Sequence, residues 1–194
     1  MKNELRQSII RISIIGPISS GKTFAAKLIH KNLENSVYFN CDDFVDELYK
    51  KDNQGYKIIN KKFSDKYLTR KKQIDKKKLA QDIFSKPEIK KQMEDLIHPL
   101  VMAEIKKIIK NHKNKIIIIE SLPSIIKLFK PSSVIEIISD FSNIQKRNKK
   151  FEPKILKKIY NSYNSPKITK IQIQNNETKT KFKNKVLYCS TLKK

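Results

Sequence analysis

The sequence predicts an α/β fold with a mostly parallel, five-stranded sheet flanked by helices. Short apolar runs rich in β-branched residues alternate with longer stretches of helical periodicity. The first of these runs ends at a glycine, and a helical pattern begins a few residues later. Alternation of this kind is typical of parallel strands that are connected by helices. The length of 194 residues suits one domain, residues 1–194.

Five segments are predicted to be strands because they are short, apolar and β-branched. They are residues 9–15, 37–40, 116–119, 134–138 and 168–173.

The helical predictions rest on apolar residues spaced three and four apart. They are residues 23–33, 43–50, 79–109, 141–163 and 179–194. Pro99 lies inside the third of these and is expected to start or kink a helix there. Residues 51–77 are polar and weakly periodic, which predicts short helices and loops near the surface.

The turn after the first strand matches the phosphate-binding pattern G-x-x-x-x-G-K-[ST], the P-loop. Its residues are Gly16, Pro17, Ile18, Ser19, Ser20, Gly21, Lys22 and Thr23. Two of the three glycines in the chain lie in this motif, which makes an accidental match improbable.

Each part of this motif has a physical role. Glycines permit backbone geometry that side chains would block, so that the N–H groups of the loop, including those of Ser19 and Ser20, can face phosphate oxygens. Lys22 supplies a catalytic positive charge to the β- and γ-phosphates, and the Thr23 hydroxyl reaches a Mg²⁺ ion. The sequence therefore predicts a nucleoside triphosphate such as ATP, with Mg²⁺, as ligands.

The charge of the chain first suggests nucleic-acid binding, since 43 basic residues against 19 acidic ones leave a net charge of +24. However, only four of the basic residues are arginine, the side chain best suited to reading bases. The lysines are spread along the whole chain. A basic nucleic-acid-binding protein with a regulatory P-loop remains the alternative of a different class, and small-molecule substrates are favoured.

The sequence pattern also argues against membrane-spanning, secreted and cysteine-based metal-binding proteins. No apolar run approaches the ~18–20 residues that span a bilayer, so no membrane partner is predicted. The first residues lack the apolar core of a signal peptide. Cys41 and Cys189 have no metal-ligand spacing. These features predict a cytoplasmic protein, which we expect to be a monomer.

Four further segments resemble the dephospho-CoA kinase family. They are YFNCD at residues 38–42, IDKKKL followed by IF at residues 74–84, MEDLIHPLV at residues 93–101, and IIESLP at residues 118–123. The resemblance implies a P-loop kinase that uses ATP and Mg²⁺ to phosphorylate the ribose 3′-hydroxyl of dephospho-CoA, giving CoA. It also implies a helical acceptor-binding region over about residues 43–110 and a lid over about residues 141–165.

The sequence departs from the family pattern at two positions. Asn40 stands where the family usually has an aspartate, and Lys76 stands where it usually has an arginine. A lysine offers a point charge to phosphate and cannot form the bidentate fork of arginine. Another small acceptor, such as a nucleoside or nucleoside monophosphate, therefore stays open as an alternative.

Asp42 is the candidate general base, because hydroxyl phosphorylation needs a carboxylate near the attacking oxygen. The resemblance places the catalytic aspartate of the family at this position. The alternative is that Asp42 or Asp43 caps the helix that begins near Phe44.

Two candidate residues for the acceptor lie in the helical region. The resemblance implies that Lys76 and His98 contact the acceptor substrate, whereas a lone histidine on an apolar face is often a structural hydrogen-bonding residue.

Glu120 ends a buried strand and could hold Mg²⁺ together with Thr23. The alternatives for Glu120 are a helix cap or a surface acid at the strand end.

Arg147 lies among lysines in the predicted lid, where it could neutralise phosphate charge or belong to a solvated basic helix face. The resemblance places Asn175, after the last strand, near the adenine.

Overall fold

The computed structural model describes residues 10–191, with side chains up to residue 189. Within this range the chain forms five strands. They are β1 (Arg11–Ile15), β2 (Ser36–Asn40), β3 (Ile116–Glu120), β4 (Ser133–Ile138) and β5 (Ile171–Gln174).

Nine α-helices and one short 3₁₀-helix connect and flank these strands in the described range. The 3₁₀-helix is Ser64–Tyr67, and the α-helices are α1 (Lys22–Asn32), α2 (Cys41–Leu48), α3 (Gln54–Phe63), α4 (Lys76–Ser85), α5 (Pro87–Asn111), α6 (Pro123–Phe129), α7 (Phe141–Arg147), α8 (Pro153–Asn161) and α9 (Lys179–Thr191).

The strands form a single sheet in the order β2-β3-β1-β4-β5, and each of these pairings is parallel. Parallel pairing requires crossover connections, which the intervening helices supply. It also brings the carboxyl ends of the strands to one edge of the sheet. The P-loop follows β1 there, Asn40 ends β2, and Glu120, its register partner, ends β3. The sheet therefore gathers the P-loop, Asn40 and Glu120 at the edge where open α/β sheets bind ligands.

Apolar side chains cover both faces of the sheet, as expected for parallel strands. On one face Ile117 and Ile119 pack in a cluster with residues of α5, among them Val101 and Ile105. On the other face Ile118 packs in a cluster with residues of α1 and α9. Strands β1 and β3 are buried on both sides, which holds the P-loop at the end of a rigid central strand.

The predicted strands are confirmed with small changes of boundary. The fifth strand begins at Ile171 rather than at residue 168, and Ile168 is exposed. It lies in the turn just after Pro166, and its N–H donates to the Pro166 carbonyl oxygen. Residue 9, the predicted start of the first strand, lies outside the described residues.

The long helical stretch of residues 79–109 breaks at a different proline from the one expected. Helix α4 ends at Ser85 and α5 begins at Pro87, whereas Pro99 lies inside the continuous α5. Proline is favoured in the first turn of a helix, where its missing N–H has no intrahelical acceptor. The residue before it is also driven out of the helical region, and Lys86 is extended.

Two other helical predictions need correction. Residues 51–77 are not all near the surface, because α3 and the 3₁₀-helix bury Ile59 and Tyr67 completely. The predicted helix over residues 141–163 is two helices, since α7 ends at Arg147 and α8 begins at Pro153. Asn148 shapes the turn between them, because its Oδ1 accepts from the N–H groups of Lys150 and Phe151.

None of the helices within residues 10–191 is long and apolar enough to cross a membrane.

Candidate active site

The glycines of the P-loop adopt conformations that other residues rarely reach. Gly16 has φ +149° and Gly21 has φ +107°. A Cβ on Gly16 would overlap the carbonyl oxygen of Ile137, and a Cβ on Gly21 would lie 2.5 Å from Nδ2 of Asn175. Gly21 is also the N-cap of the eleven-residue helix α1. The loop is therefore held tightly against β4 and Asn175, with the positive end of the helix behind it.

Lys22 folds back over this loop and donates from Nζ to the Pro17 carbonyl oxygen at 2.9 Å. Burial lowers the pKa of Lys22, and the negative charges of Asp42 and Glu120 oppose that shift. Ser20 is fully buried, and its Oγ has no hydrogen-bond partner within the described residues. This arrangement suits a phosphate chain, because it combines a tight loop, a helix N-terminus, a lysine and the unpartnered Ser20 hydroxyl.

Glu120 joins three elements at the end of β3. Its Oε1 accepts from the Thr23 hydroxyl at 2.7 Å, and its Oε2 accepts from the Tyr38 hydroxyl at 2.6 Å. Only 3% of Glu120 is exposed, so the alternative of a surface acid is wrong. The helix-cap alternative is also wrong, because Leu122 is the N-cap of α6.

Thr23 and Glu120 also fit a Mg²⁺ ion chemically. A hydroxyl and a carboxylate oxygen are the hard ligands that this ion takes, usually with phosphate oxygens and water completing the set. No group of three or more histidine, cysteine or acidic side chains that could hold a metal occurs in the part of the chain described.

The N-cap of α2 is Asn40, which corrects the alternative that Asp42 or Asp43 fills this role. The Asn40 side chain accepts from the N–H groups of Asp42 at 2.9 Å and Asp43 at 3.4 Å. The asparagine thus satisfies the free donors of the helix end. The Asp42 side chain keeps contact with solvent and is not used as the cap.

The electrostatics at Asp42 come from two sides of the site. Partial loss of hydration raises the pKa of Asp42, and the charges of Asp43 and Asp46 add to this. The charges of Lys22 and Lys150 act in the opposite direction. Lys150 belongs to the turn between α7 and α8, where Asn148 donates from Nδ2 to Ser19 Oγ at 3.2 Å. This turn therefore touches the P-loop and brings a cation toward Asp42.

A cleft of roughly 850 Å³ lies between this turn and the helical region. Its walls come from α2, α4, α8 and the α7–α8 turn, and include Asp46, Lys76, Phe84, Lys150 and Phe151. Asp46 and Asp42 are one turn apart on α2, so they face the same side of that helix. A smaller cleft of roughly 420 Å³ adjoins it through Asp46, Tyr49 and Lys76.

The two candidate acceptor residues are not brought together. Lys76 lines both clefts and donates from Nζ to Asp46 at 2.7 Å. His98 lines neither cleft and is half-buried on α5. Burial lowers the pKa of His98, although the charges of Glu94 and Asp95 act in the opposite direction.

Arg147 and Asn175 contact each other behind the P-loop. Arg147 donates from Nη2 to the Asn175 carbonyl oxygen at 2.7 Å and from Nη1 to Ser139 Oγ at 3.2 Å. Asn175 is buried and donates from Nδ2 to the Ser20 carbonyl oxygen at 2.7 Å. Arg147 is therefore more than a member of a solvated basic helix face, because its guanidinium is bonded to the fold.

Comparison with known proteins decides the family of this molecule. The model of the dephospho-CoA kinase family matches residues 10–188. The chain belongs to the dephospho-CoA kinase family. The family therefore covers both the P-loop and the helical region that lines the cleft.

Curated dephospho-CoA kinases match over part of their length. The enzyme of Mycoplasma genitalium is 31% identical over 109 residues, which is 56% of this chain and 54% of the relative. The enzyme of Lactobacillus acidophilus is 31% identical over 112 residues, which is 58% of this chain and 55% of the relative. The chain thus spans about half the length of the curated kinases it matches.

Solved structures share the fold over nearly the whole chain. The Thermus thermophilus protein TT1252 superposes with a TM-score of 0.74 at 16% identity, covering 96% of this chain and 98% of that one. The dephospho-CoA kinase from Campylobacter jejuni superposes with a TM-score of 0.56 at 19% identity, covering 94% and 96% of the two chains. The P-loop kinase fold predicted from the sequence is confirmed.

Sequence reasoning missed several residues of this kinase-family site. Tyr38 is recognisable in hindsight, because strand alternation puts it on the same side of β2 as Asn40, two residues away. Asn148 and Ser139 carry no local signal, because polar residues are common in such turns. Their roles depend on contacts with residues far along the chain, 129 positions from Asn148 to Ser19.

Proposed function

We propose that this chain is an ATP-dependent kinase that phosphorylates the ribose 3′-hydroxyl of dephospho-CoA to give CoA. The observation that carries this proposal is the position of Asp42. Asn40 caps α2 in its place, so the Asp42 carboxylate stays available close to Lys22 at the carboxyl end of β2. Membership of the dephospho-CoA kinase family supports the choice of acceptor.

The P-loop would hold the triphosphate of ATP. The N–H groups of residues 19–23 and the positive end of α1 attract its oxygens. Lys22 would exchange its bond to the Pro17 carbonyl for the β- and γ-phosphates, where its charge offsets the charge that develops in the transition state. This attraction acts in a partly desolvated site and is therefore stronger than in water.

The Thr23 hydroxyl and the Glu120 carboxylate would hold Mg²⁺. When bound, this ion neutralises charge on the β- and γ-phosphates. Tyr38 keeps Glu120 in place by donating to its second oxygen, so that Oε1 stays directed at Thr23.

Asp42 would orient the ribose hydroxyl and accept its proton. The hydroxyl oxygen forms a bond to the γ-phosphorus, and the bond from that phosphorus to the bridging oxygen of ADP breaks. The proton passes to the Asp42 carboxylate, and ADP leaves with the bonding electrons. A raised pKa suits this role, because it makes the carboxylate a better proton acceptor.

The cleft beside Asp46 would receive the rest of the acceptor. It combines cations such as Lys76 and Lys150 with apolar groups such as Phe84 and Phe151. A phosphorylated ribose with a long, partly apolar arm needs both kinds of surface. In this proposal Lys76 binds an acceptor phosphate, while the position of His98 outside the clefts favours its structural role.

A coupled assay with purified protein tests the proposal. We expect ADP release that depends on dephospho-CoA, and loss of turnover by ~10²-fold or more in Asp42→Ala, with ATP binding retained. Asp43→Ala is the matched control, and its turnover should change by less than about threefold. The proposal is wrong if folded wild-type protein releases no ADP with dephospho-CoA.

One observation favours a second candidate, a kinase for a nucleoside or nucleoside monophosphate. Lys76 is engaged by Asp46 and lacks the fork of an arginine, so its hold on an acceptor phosphate is weaker. A panel of nucleosides and nucleotides in the same assay distinguishes the two acceptors.

As a small-molecule kinase the protein would work as a cytoplasmic monomer that needs no nucleic-acid partner.

A further inference from the structure

Asn175 holds the P-loop from behind, at a point that the proposed mechanism does not use. It follows β5 directly and is only 7% exposed. Its Nδ2 donates to the Ser20 carbonyl oxygen at 2.7 Å, 155 residues away along the chain. The same nitrogen would lie 2.5 Å from a Cβ on Gly21, so the loop and the amide are in close contact.

The bond to Ser20 has a direct consequence for phosphate binding. The peptide between Ser20 and Gly21 is planar, and its carbonyl and N–H point in opposite directions. An amide that holds the carbonyl on the outer side of the loop therefore turns the Gly21 N–H toward the inner side. N–H groups on that inner side are the ones that meet phosphate oxygens in such loops.

Asn175 is itself clamped by its neighbours. Its backbone N–H donates to the Ile138 carbonyl oxygen at 2.8 Å. Its carbonyl oxygen lies 2.9 Å from Ser139 Oγ and 2.7 Å from Nη2 of Arg147. Arg147 is the last residue of α7, so this clamp links the first helix of the predicted lid to the P-loop.

We propose that Asn175 is a positioning residue that orients the Ser20–Gly21 peptide for triphosphate binding, and that Arg147 holds Asn175 in place by donating to the carbonyl oxygen of Asn175. The proposal rests on the proposed function only in that the P-loop binds a triphosphate. It differs from an adenine contact, because the ligand group that Asn175 serves is the phosphate chain. It also gives Arg147 a role through Asn175 and without contact to phosphate.

Inorganic tripolyphosphate separates these roles because it carries the phosphate chain without adenine. The dissociation constants of ATP and tripolyphosphate are measured by calorimetry for wild type and Asn175→Ala. We expect both constants to rise by about tenfold, the effect of one lost buried hydrogen bond. A rise for ATP alone would indicate an adenine contact and overturn the proposal. Unchanged constants with a lower Tm would indicate a merely structural role and also overturn it.

Two further variants keep the test decisive. Asn176→Ala is the matched control, because Asn176 accepts from the Asp140 N–H and lies beside Ser139. It should leave both dissociation constants unchanged. Asn175→Asp keeps the shape and replaces the donor with an acceptor, so it should weaken both ligands at least as much as Asn175→Ala. Full affinity for tripolyphosphate in Asn175→Asp would contradict the proposal.

The role of Arg147 is tested by a double-mutant cycle with tripolyphosphate. If Arg147 acts through Asn175, Arg147→Ala should weaken binding in wild type and have little further effect in Asn175→Ala. Additive effects would indicate direct phosphate contact and overturn this part. Wild-type protein that binds tripolyphosphate but does not phosphorylate dephospho-CoA would refute the proposed function and leave the positioning role standing.

Discussion

The Thr23 hydroxyl donates a 2.7 Å hydrogen bond to the carboxylate of Glu120, which lies 97 residues further along the chain. Thr23 is the second residue of α1, and Glu120 is the last residue of β3. Their meeting depends on the parallel pairing of β1 with β3, which puts the P-loop and the end of β3 side by side. The proposed Mg²⁺ ligands are therefore set by the register of two central strands.

We expect Glu120→Gln to raise the Mg²⁺ concentration needed for half-maximal turnover and to lower turnover about tenfold or more. Removing the charge weakens a hard-cation site, while the shape of the side chain is kept. A magnesium titration of the ATP-dependent rate measures both effects. Tyr38→Phe is the control, because it removes only the bond to Oε2. It should cost about 1 kcal/mol of stability and raise the Mg²⁺ requirement much less than Glu120→Gln does, because the charge of Glu120 is kept. An unchanged requirement in Glu120→Gln would contradict the assignment.

The pH dependence of turnover should report the ionisation of Asp42. The carboxylate must be deprotonated to accept a proton, so kcat/KM should rise with pH. Because partial loss of hydration raises the pKa of Asp42, the rise in kcat/KM should lie above the ordinary aspartate value of about 3.9. The charge of Lys150 lowers that pKa, so Lys150→Ala should shift the rise to higher pH. Lys146→Ala, an exposed neighbour on α7, should leave it in place, and equal profiles for all three proteins would contradict this interpretation.

We expect Glu136→Gln to destabilise the fold by about 2–3 kcal/mol in urea unfolding. Glu136 is fully buried on β4 and accepts from Tyr163 at 2.6 Å, Gln172 at 2.6 Å and Ser165 at 3.0 Å. The amide nitrogen of a glutamine here would face groups that themselves donate hydrogen bonds, so at least one of these bonds would be lost. Glu177→Gln, which alters an exposed ion pair with Lys185, should barely shift the urea midpoint.

The ionisation of Glu136 should also make the stability of the fold depend on pH. Burial acts to raise the pKa of Glu136, but the hydrogen bonds from Tyr163, Gln172 and Ser165 and the charge of Lys170 outweigh it and lower the pKa. A lowered folded-state pKa stabilises the protein above the unfolded value of about 4.3. This contribution is lost as the pH falls below that value toward the folded pKa. Glu136→Gln should therefore show a shallower loss of stability in acid than wild type.

We expect Asp46→Asn to lower the KM for dephospho-CoA by about two- to fivefold. The ion pair with Asp46 holds Lys76 at 2.7 Å, and an acceptor phosphate must compete with it. Both side chains are exposed, so breaking the pair should leave Tm nearly unchanged. Asp65→Asn is the matched control, because it breaks an exposed pair with Lys72 outside the clefts. A KM that stays the same in Asp46→Asn would argue against Lys76 as the phosphate ligand.

The sequence by itself determined the parts of this protein that depend on local pattern. The five strands, the P-loop and the helix behind it follow from apolar runs, two glycines and the lysine and threonine that succeed them. The family also followed from short segments such as residues 93–101. These features are readable because each is encoded within a few adjacent residues.

Only the tertiary structure decided which side chains meet at the edge of the sheet. It enclosed Glu120 between Thr23 and Tyr38 and directed Asn175 at the Ser20 carbonyl. Such contacts join residues dozens to more than a hundred positions apart, so they depend on strand order and register, which local sequence patterns do not contain.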